Sequence, residues 1–562
     1  MKKLDIGVIV TTLIIVTISC SLAFFAARVV GEPKDINLVA KNVAITFNDT
    51  SIIANGVLSP GWNTTKTFTI TNNSKEEYKY NISIKDLVNT FVTEGYLQYK
   101  ITSTNGYNMI EFKDIPKSSA PKDKILAYSV SIPVGVTQSY TIEFKYANDE
   151  SVDQSDDMGK KLSGTLFITE GTEQPTLLSQ ILNDNPTISE RTDFSTVFTT
   201  NTANTLYKAT ENGIDVYYFA GVENIEEGCE YSGQKITDYS SNKLNENTCS
   251  GEIEVCHTDN NEYLYFGTSS CNGFDGSVEK IQVLWTSGVE KPLNNWVKFG
   301  KNSSNQDLYW RIIRTNSDGS IRLLYHGIST TATDAYIGES QFNKIFNDSM
   351  YVGYMYGTSG SQESNRTNAN NSTIKTVIDN WYASNMTSYT KYLSTTAVYC
   401  NDREVGSGTY SATGSIFYYA PYARVYTSYA PTYDCTNNND KFTVDASTGN
   451  GKLTYPIALM TADEIAYAGG ATSKKAPMWY YTNSSFESST GLTEWWSLSP
   501  FNWNVSGASS WRVFGKGSLS GFGVNYSRSV RPVVSLKSCI KYSTGNGTSE
   551  TPYEIVETTS GC

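Results

Sequence analysis

Between residues 42 and 169 apolar and polar residues alternate in short runs, at 42–47, 66–72, 78–84, 97–103, 128–133, 139–146 and 164–169. Val, Ile, Phe and Tyr recur there with a period of two, between turns rich in Asn, Gly, Pro and Lys. That pattern predicts seven strands of an antiparallel sandwich, each sheet with one buried and one wet face. The next segment, 173–204, is polar, contains one short amphipathic piece at 176–184, and reads as a linker or spacer helix. Residues 205–222 read as the opening strands of a second globular region. After them 223–293 has a weak apolar pattern, four cysteines and many Asn, Glu and Ser residues, so it reads as a loop-rich insertion.

Regular patterning resumes at 294–300, and 308–327 predicts a hairpin with Asp318-Gly319 in its turn. Ile374, Val377, Ile378 and Trp381 share one face of a predicted helix that Ser372 or Thr373 can cap. A second short helix is expected at 461–470, with Thr461 at its N-cap and Gly469 near its C-cap. Further strand sequence follows at 495–500, 510–538 and 546–555. The fold class expected for the chain is mainly β with minor α.

The amino end has a different character. Lys2 and Lys3 precede an uncharged run from Ile6 to Ala27, about 33 Å long as a helix and able to span a hydrocarbon core of about 30 Å. The lysines place the amino end in the cytoplasm and the body outside. An uncleaved single-pass anchor is the leading reading. Its rivals are a signal peptide cleaved near Ser21-Leu22-Ala23 and a lipoprotein acylated at Cys20. All three make the body extracytoplasmic, a cell-surface protein held at the membrane through its N-terminal segment. Eight further cysteines suit that compartment. Their clustering suggests pairing by region: Cys229, Cys249, Cys256 and Cys271 among themselves, Cys400 with Cys435, and Cys539 with Cys562.

Composition narrows the chemistry. With 44 Lys and Arg against 56 Asp and Glu, the net charge of the 562-residue chain is -12, which disfavours nucleic acid as a partner. Only two histidines occur, His257 and His326, against 39 tyrosines. A three-histidine metal site cannot be built within one chain, and a Ser-His-Asp triad has two candidate bases. No C-x-x-C pair, phosphate loop, nucleophile elbow or zinc-protease helix is present. Binding is therefore expected rather than catalysis, with no cofactor and no metal. Asn63, Asn385 and Asn546 head Asn-x-Ser/Thr triplets of the kind that Asn-rich sequence produces by chance.

The alternating segment resembles a bacterial immunoglobulin-like sandwich. Farther on stand Trp310-Arg311-Ile312-Ile313-Arg314, Tyr351 to Gly357, Trp381-Tyr382, Cys400 to Arg403, Leu453 to Pro456, Thr461 to Glu464, Trp496 to Pro500 and Val530 to Val534. In that order they resemble a family of uncharacterised bacterial cell-surface domains whose fold is similar to C-type lectins and formylglycine-generating enzymes. The resemblance covers 205–222 and 294–556. Together with the apolar run and the alternating segment it divides the chain into four parts: an anchor or signal at 1–31, an immunoglobulin-like sandwich at 32–172, a linker at 173–204, and a C-type-lectin-like α+β domain at 205–562 with a disulfide-rich insertion at 223–293. It also implies that the closing strand at 531–537 lies near the opening one at 216–221. Formylglycine-generating relatives need cysteines close to the Arg-rich end, and here the stretch 529–534 has none until Cys539, beyond its end. Calcium-dependent lectins need Glu-Pro-Asn and Trp-Asn-Asp motifs, and here Trp503-Asn504 runs into Val505.

Residues 499–528 are dense in Asn, Ser, Gly, Trp, Phe and Tyr, a composition suited to recognition, and the resemblance implies that they form an exposed binding face. Trp503, Asn504, Trp511, Arg512, Phe522, Asn525 and Tyr526 are the ligand-binding candidates. Trp310, Trp381, Trp496 and Trp511 also sit in apolar patterns that suit a core, so two readings claim Trp511. Arg311, Arg512 and Arg531 are expected to snorkel or to pair with carboxylates. Asp402 with Arg403 is expected to be a structural ion pair, and His326 a satisfied structural histidine. The function expected is a surface protein whose lectin-like head binds a glycan or protein ligand. A structural cell-surface or filament subunit is the alternative, and an oxidase of the formylglycine-generating type a third.

Overall fold

The computed structural model describes residues 58–562 apart from 94, 110, 199–203, 223–292, 333–334, 473–477, 481–493 and 515–516; strands within 26–57 and 223–292 are described by backbone alone. The apolar run up to residue 25, and the side chains of Cys229, Cys249, Cys256, Cys271 and His257, lie outside the described residues. Among the described residues no helix is long and apolar enough to cross a membrane. The chain divides into two compact units, Met1–Gln174 and Pro175–Cys562.

All seven expected strands are present in the first unit, in two sheets. One sheet runs in the order Gly56–Val57, Ala26–Val29, Leu162–Glu170, Tyr78–Asn89 and Ser118–Ile132. The other runs Ile36–Ala40, Val43–Asp49, Asn63–Asn72, Thr137–Tyr146, Leu97–Ser103 and Lys113–Asp114. Thr137–Tyr146 shows how alternation sets the register: Gln138, Tyr140, Ile142, Phe144 and Tyr146 are buried while the residues between them reach solvent. The core joins Ile82, Ile84, Leu166 and Ile168 of one sheet to Phe68, Ile70, Ile101 and Ile142 of the other. Strand Ala26–Val29 runs parallel to Leu162–Gly164, so this unit takes in residues that hydropathy assigns to the anchor segment 1–31.

The second unit begins earlier than composition suggests. The segment expected to be a linker or spacer helix does form a helix, Leu177–Asp184, capped by Thr176, but its Leu177 and Ile181 enter the core. Thr187–Glu190 then pairs in parallel with Thr205–Lys208. Two apolar residues four apart suffice to dock one helical face, which turns 175–198 into part of the domain. The insertion also departs from a loop-rich reading, because Ser250–His257 pairs with both Leu264–Phe266 and Asp275–Gln282.

A ten-stranded sheet forms the base of this unit. The hairpin Asp307–Thr315 with Ile321–Gly327 turns through Ser317-Asp318-Gly319, where Gly319 adopts φ +77° and its N–H donates to the Asn316 carbonyl. Pro532–Leu536 pairs with Ile321–Gly327 and Ile457–Leu459, whereas Ile214–Tyr218 meets Asp307–Thr315. Both strands of the hairpin therefore stand between the closing strand and the opening one, which the resemblance had placed side by side. A seven-stranded sheet carries Glu339–Gln341, Ser527–Ser529, Trp495–Trp503, Phe417–Tyr419 and Val405–Ser407, with Ala508–Phe514 and Ser518–Gly523 branching from it. Trp310 and Trp496 are core residues, and Trp381 is half-buried against Tyr325.

Helix Thr373–Asn385 is capped by Ser372, and its buried face is Ile374, Lys375, Ile378 and Tyr382, with Val377 and Trp381 at the margin. Helix Ala462–Tyr467 has Thr461 as N-cap and ends at Gly469 (φ +118°), the N–H groups of Gly469 and Gly470 donating to Ala466 and Ile465. Two disulfides match the regional pairing, Cys400–Cys435 and Cys539–Cys562.

Charge in this interior is paired across elements. Arg314 and Arg322 are cross-strand partners in the hairpin, and the Glu464 carboxylate binds both. Its other oxygen accepts the Thr461 N–H at 2.9 Å, closing the capping box. Arg314 also meets Glu211 at 2.9 Å. Burial alone would raise the Glu211 carboxyl, but Arg314 beside it, with Arg322 and the Ser317 N–H, brings it down to about 2. Arg531, by contrast, is fully buried and donates to the Tyr325 and Tyr480 carbonyl oxygens, not to a carboxylate. His326 is buried with its ring edge-on to Trp296 at 4.4 Å, and neither ring nitrogen has a partner among the described residues. It is thus structural, and among the described residues its ring nitrogens are not satisfied.

Because Glu464 neutralises two buried guanidinium groups, Glu464→Gln should destabilise the unit by about 3–5 kcal/mol, read as a lower urea midpoint. Unchanged stability would show that the arginines find other counter-charges. Burial, then Arg311 and Arg531, hold the His326 pKa well below 6.5. The unfolded chain therefore takes up this proton first, and the stability contribution is intact above pH 6.5 and lost as pH falls below it. The expected slope is up to about 1.4 kcal/mol per pH unit. Denaturation at pH 7, 6 and 5 should show a smaller decline in His326→Phe than in the parent chain.

Candidate functional site

The seven candidates at 503–526 do not form one face. Trp511 and Arg512 are successive residues of Ala508–Phe514 and so project to opposite sides of the sheet. Trp511 packs under Phe501 at 4.6 Å, and Trp503 is buried with its indole N–H donating to the Gly414 carbonyl. Both indoles belong to the core because the strands bearing them are covered; for Trp511 that is the core reading of the sequence, and for Trp503 it departs from the ligand-binding one. Arg512 is also buried, in an ion pair with Glu494. Phe522, half-buried, lies between the Arg512 and Arg528 guanidiniums at 3.8 and 4.2 Å, with Tyr526 against it at 4.9 Å. Tyr526 and Asn504 reach solvent, the latter closing its own turn by accepting the Gly507 N–H at 2.9 Å. The backbone carbonyl of Asn525 accepts from Gln341.

A different aromatic group is continuous on the surface. Strand Phe417–Tyr419 pairs with Trp495–Trp503, burying Phe417 and Tyr419 and leaving Tyr418 outward. The chain then turns helical at Ala420–Tyr422, with Pro421 in the first turn, and widens into a π-turn at Ala423–Thr427. There the Ser428 N–H reaches the Ala423 carbonyl at 2.8 Å. Steps of four residues set Tyr418, Tyr422 and Tyr426 in a row, with centroids 4.1 and 5.1 Å apart and both pairs tilted by 30°. Tyr418 and Tyr422 stand nearly perpendicular to Phe501, which lies across Gly521, where a Cβ would meet the ring at 2.2 Å. Tyr426 is 44% exposed, and none of the three phenol oxygens hydrogen-bonds to a described residue.

The row is fastened from beneath. Arg424, inside the π-turn, donates to both oxygens of Asp463 at 2.8 and 2.9 Å and to Asp402 at 2.7 Å. Burial opposes its charge, but Asp463 and Asp402 raise its pKa above the ordinary arginine value. The Thr432 N–H also donates to Asp463, the Tyr467 hydroxyl to the Pro431 carbonyl, and Cys435 is bridged to Cys400. Tyr429, just past the π-turn, holds φ +50°, a left-handed conformation that a tyrosine adopts only where its surroundings fix it. Asp402 and Arg403 are thus structural ions, but with other partners: Arg403 pairs with Asp440 at 2.6 Å.

The two segments that form this surface carry almost no charge. From Val405 to Tyr433 the sole Asp, Glu, Lys or Arg is Arg424, turned inward, and from Trp495 to Trp511 there is none. The composition that directs attention to 499–528 also describes 405–430. The signal separating them is the spacing of Tyr418, Tyr422 and Tyr426, helical in a stretch that begins as a strand.

No protein-family model matches the chain, and no curated protein does. Among solved structures, AvmM, which catalyses macrocyclisation in alchivemycin A biosynthesis, aligns at 11% identity over 26% of this chain and 98% of its own, with a TM-score of 0.14. A family 123 glycoside hydrolase from Clostridium perfringens, studied for glycolipid glycan hydrolysis, aligns at 10% identity over 24% of this chain and 25% of its own, with a TM-score of 0.10. Superpositions this loose carry neither fold nor activity to this chain.

Removing the Arg424 guanidinium leaves two acidic side chains facing one another. Arg424→Gln should lower stability by about 2–3 kcal/mol, somewhat less than for a fully buried pair, and Arg424→Lys should recover only part because an ammonium cannot bridge both carboxylates bidentately. Equal urea midpoints for parent and Arg424→Gln would refute the clamp.

Proposed function

We propose that this chain is a surface-displayed recognition protein whose large unit binds a ligand through the tyrosine row. In this reading the N-terminal apolar run holds it at the membrane. The first unit is an immunoglobulin-like spacer, and the second a C-type-lectin-like head for a glycan or protein ligand. The observation that carries the reading is the pairing of an uncharged aromatic surface with a rigid ionic base. A row of phenols open to water contributes little to folding, yet Arg424, Asp402, Asp463 and the Cys400–Cys435 bridge hold its backbone in an uncommon conformation. Rings fixed in place before binding lose little entropy on contact, which favours affinity. The acidic side chains beneath are consumed by Arg424, which favours binding over acid-base chemistry at this surface.

Tyr422→Ala combined with Tyr426→Ala should leave the chain folded with a thermal midpoint lowered by a few degrees, since Tyr426 is exposed and Tyr422 is partly buried against the core. The same change should weaken adhesion of the full-length chain to its target surface at least tenfold, about 1.4 kcal/mol. Undiminished adhesion would place the recognition surface elsewhere.

A further inference from the structure

The row has the chemistry for one class of ligand, and its surroundings narrow that class. Its exposed groups are ring edges and faces, three phenol hydroxyls that each donate and accept, and the Ser, Thr and Ala side chains of 411–430. Ile416, 53% exposed, lies beside it, and Tyr429, 37% exposed, continues it past the π-turn. In a protein of net charge -12, a surface stretch of this length without an outward charge offers nothing to attract a cationic partner or repel an anionic one. Protein partners are held in register largely by charged and polar rim pairs, and such a rim is missing from 405–433 and 495–511. An uncharged polyol chain needs none: its C–H faces lie on aromatic rings and its hydroxyls exchange hydrogen bonds with phenols.

We infer that Tyr418, Tyr422 and Tyr426, backed by Phe501, form a metal-independent site for an uncharged polysaccharide chain. The inference rests on the recognition reading above and specifies its ligand. The two carboxylates fastened beneath the row, Asp402 and Asp463, are both engaged by Arg424, and among the described residues no group of three or more metal-ligating side chains is present. The successive rings offer neighbouring contacts to a run of linked sugars, so affinity should grow with chain length until the row is filled. Tyr422 is the middle member, touching Tyr418, Tyr426 and Phe501, and its loss should interrupt the row.

Affinity electrophoresis of the full-length chain in detergent tests this, with laminarin, dextran, mannan and galactan as neutral polymers, alginate as the acidic one and gelatin as the protein. At least one neutral polymer should retard the parent, equally with and without EDTA, and alginate should not. Tyr422→Ala with Tyr426→Ala should reduce that retardation at least tenfold, while Tyr422→Phe, which keeps the ring, should reduce it less. Failure of every neutral polymer to retard the parent overturns the inference, as does binding abolished by EDTA. Retardation by gelatin that is lost in the double alanine variant, without any neutral polymer acting, would overturn the saccharide class and leave the recognition site standing. Neutral-polymer retardation that survives the double variant would overturn the site itself.

Discussion

Two adjacent acidic residues on a helix of six residues organise the large unit. Glu464 turns toward the sheet, where it neutralises Arg314 and Arg322 on neighbouring strands while closing its own helix cap. Asp463 turns toward the surface and takes Arg424 bidentately together with the Thr432 N–H. The first turn of Ala462–Tyr467 is therefore a rivet between the central hairpin and the tyrosine row. Its acidic residues also suit the positive end of a helix. Tyr433 and Tyr467, stacked at 4.1 Å, fill the space between the two ion clusters, and Arg314 lies over the Tyr433 ring. Ion pairs among apolar neighbours seldom add much net stability, but they tolerate few alternative geometries. That property serves a surface whose rings must stay in register.

Much of the fold was legible because it depends on local periodicity. Seven strands of the first unit follow from alternation that one buried face enforces, and Leu97–Ser103 matches its expected span residue for residue. Helix starts at Thr373 and Ala462 follow from the caps Ser372 and Thr461. Both described disulfides follow from proximity in sequence. The misread segments owe their structure to distant contacts. Leu177 and Ile181 look like residues of a marginal amphipathic piece until they meet the core, with the Leu177 N–H donating to the Ile540 carbonyl. Likewise, Arg403 next to Asp402 suggests a local ion pair, but neighbours on an extended chain point apart. Each finds its partner 37 or 22 residues away.

The candidate site was legible in its composition and not in its location. Aromatics among Ser, Gly and Asn mark both 499–528 and 405–430, and composition cannot tell which rings a neighbouring strand will cover. Parity could have helped, since Trp511 and Arg512, successive on a strand, cannot serve one face. Spacing could have helped more: tyrosines at 418, 422 and 426 fit neither a strand nor a buried stripe, because the residues between them are small or turned inward. The π-turn that brings the third ring into the row has no sequence signal of its own. It depends on Arg424 finding Asp463 across 39 residues.

The acidity of the whole chain acquires a local meaning from this arrangement. A net charge of -12 keeps the exterior soluble and repels anionic surfaces at long range, yet that repulsion is screened beyond about 8 Å in physiological salt. Contact chemistry at the row is set by what lies close to it, and directly beneath it Arg424, Asp402 and Asp463 are paired with one another. A neutral ligand meets no electrostatic barrier on approach and finds no unpaired charge to desolvate on docking. An ionic ligand meets no counter-charge to offset the loss of its own hydration. Selectivity for neutral chains thus comes from the absence of outward ions as much as from the tyrosines, and Arg424 serves both by fixing the rings and neutralising the acids beneath them.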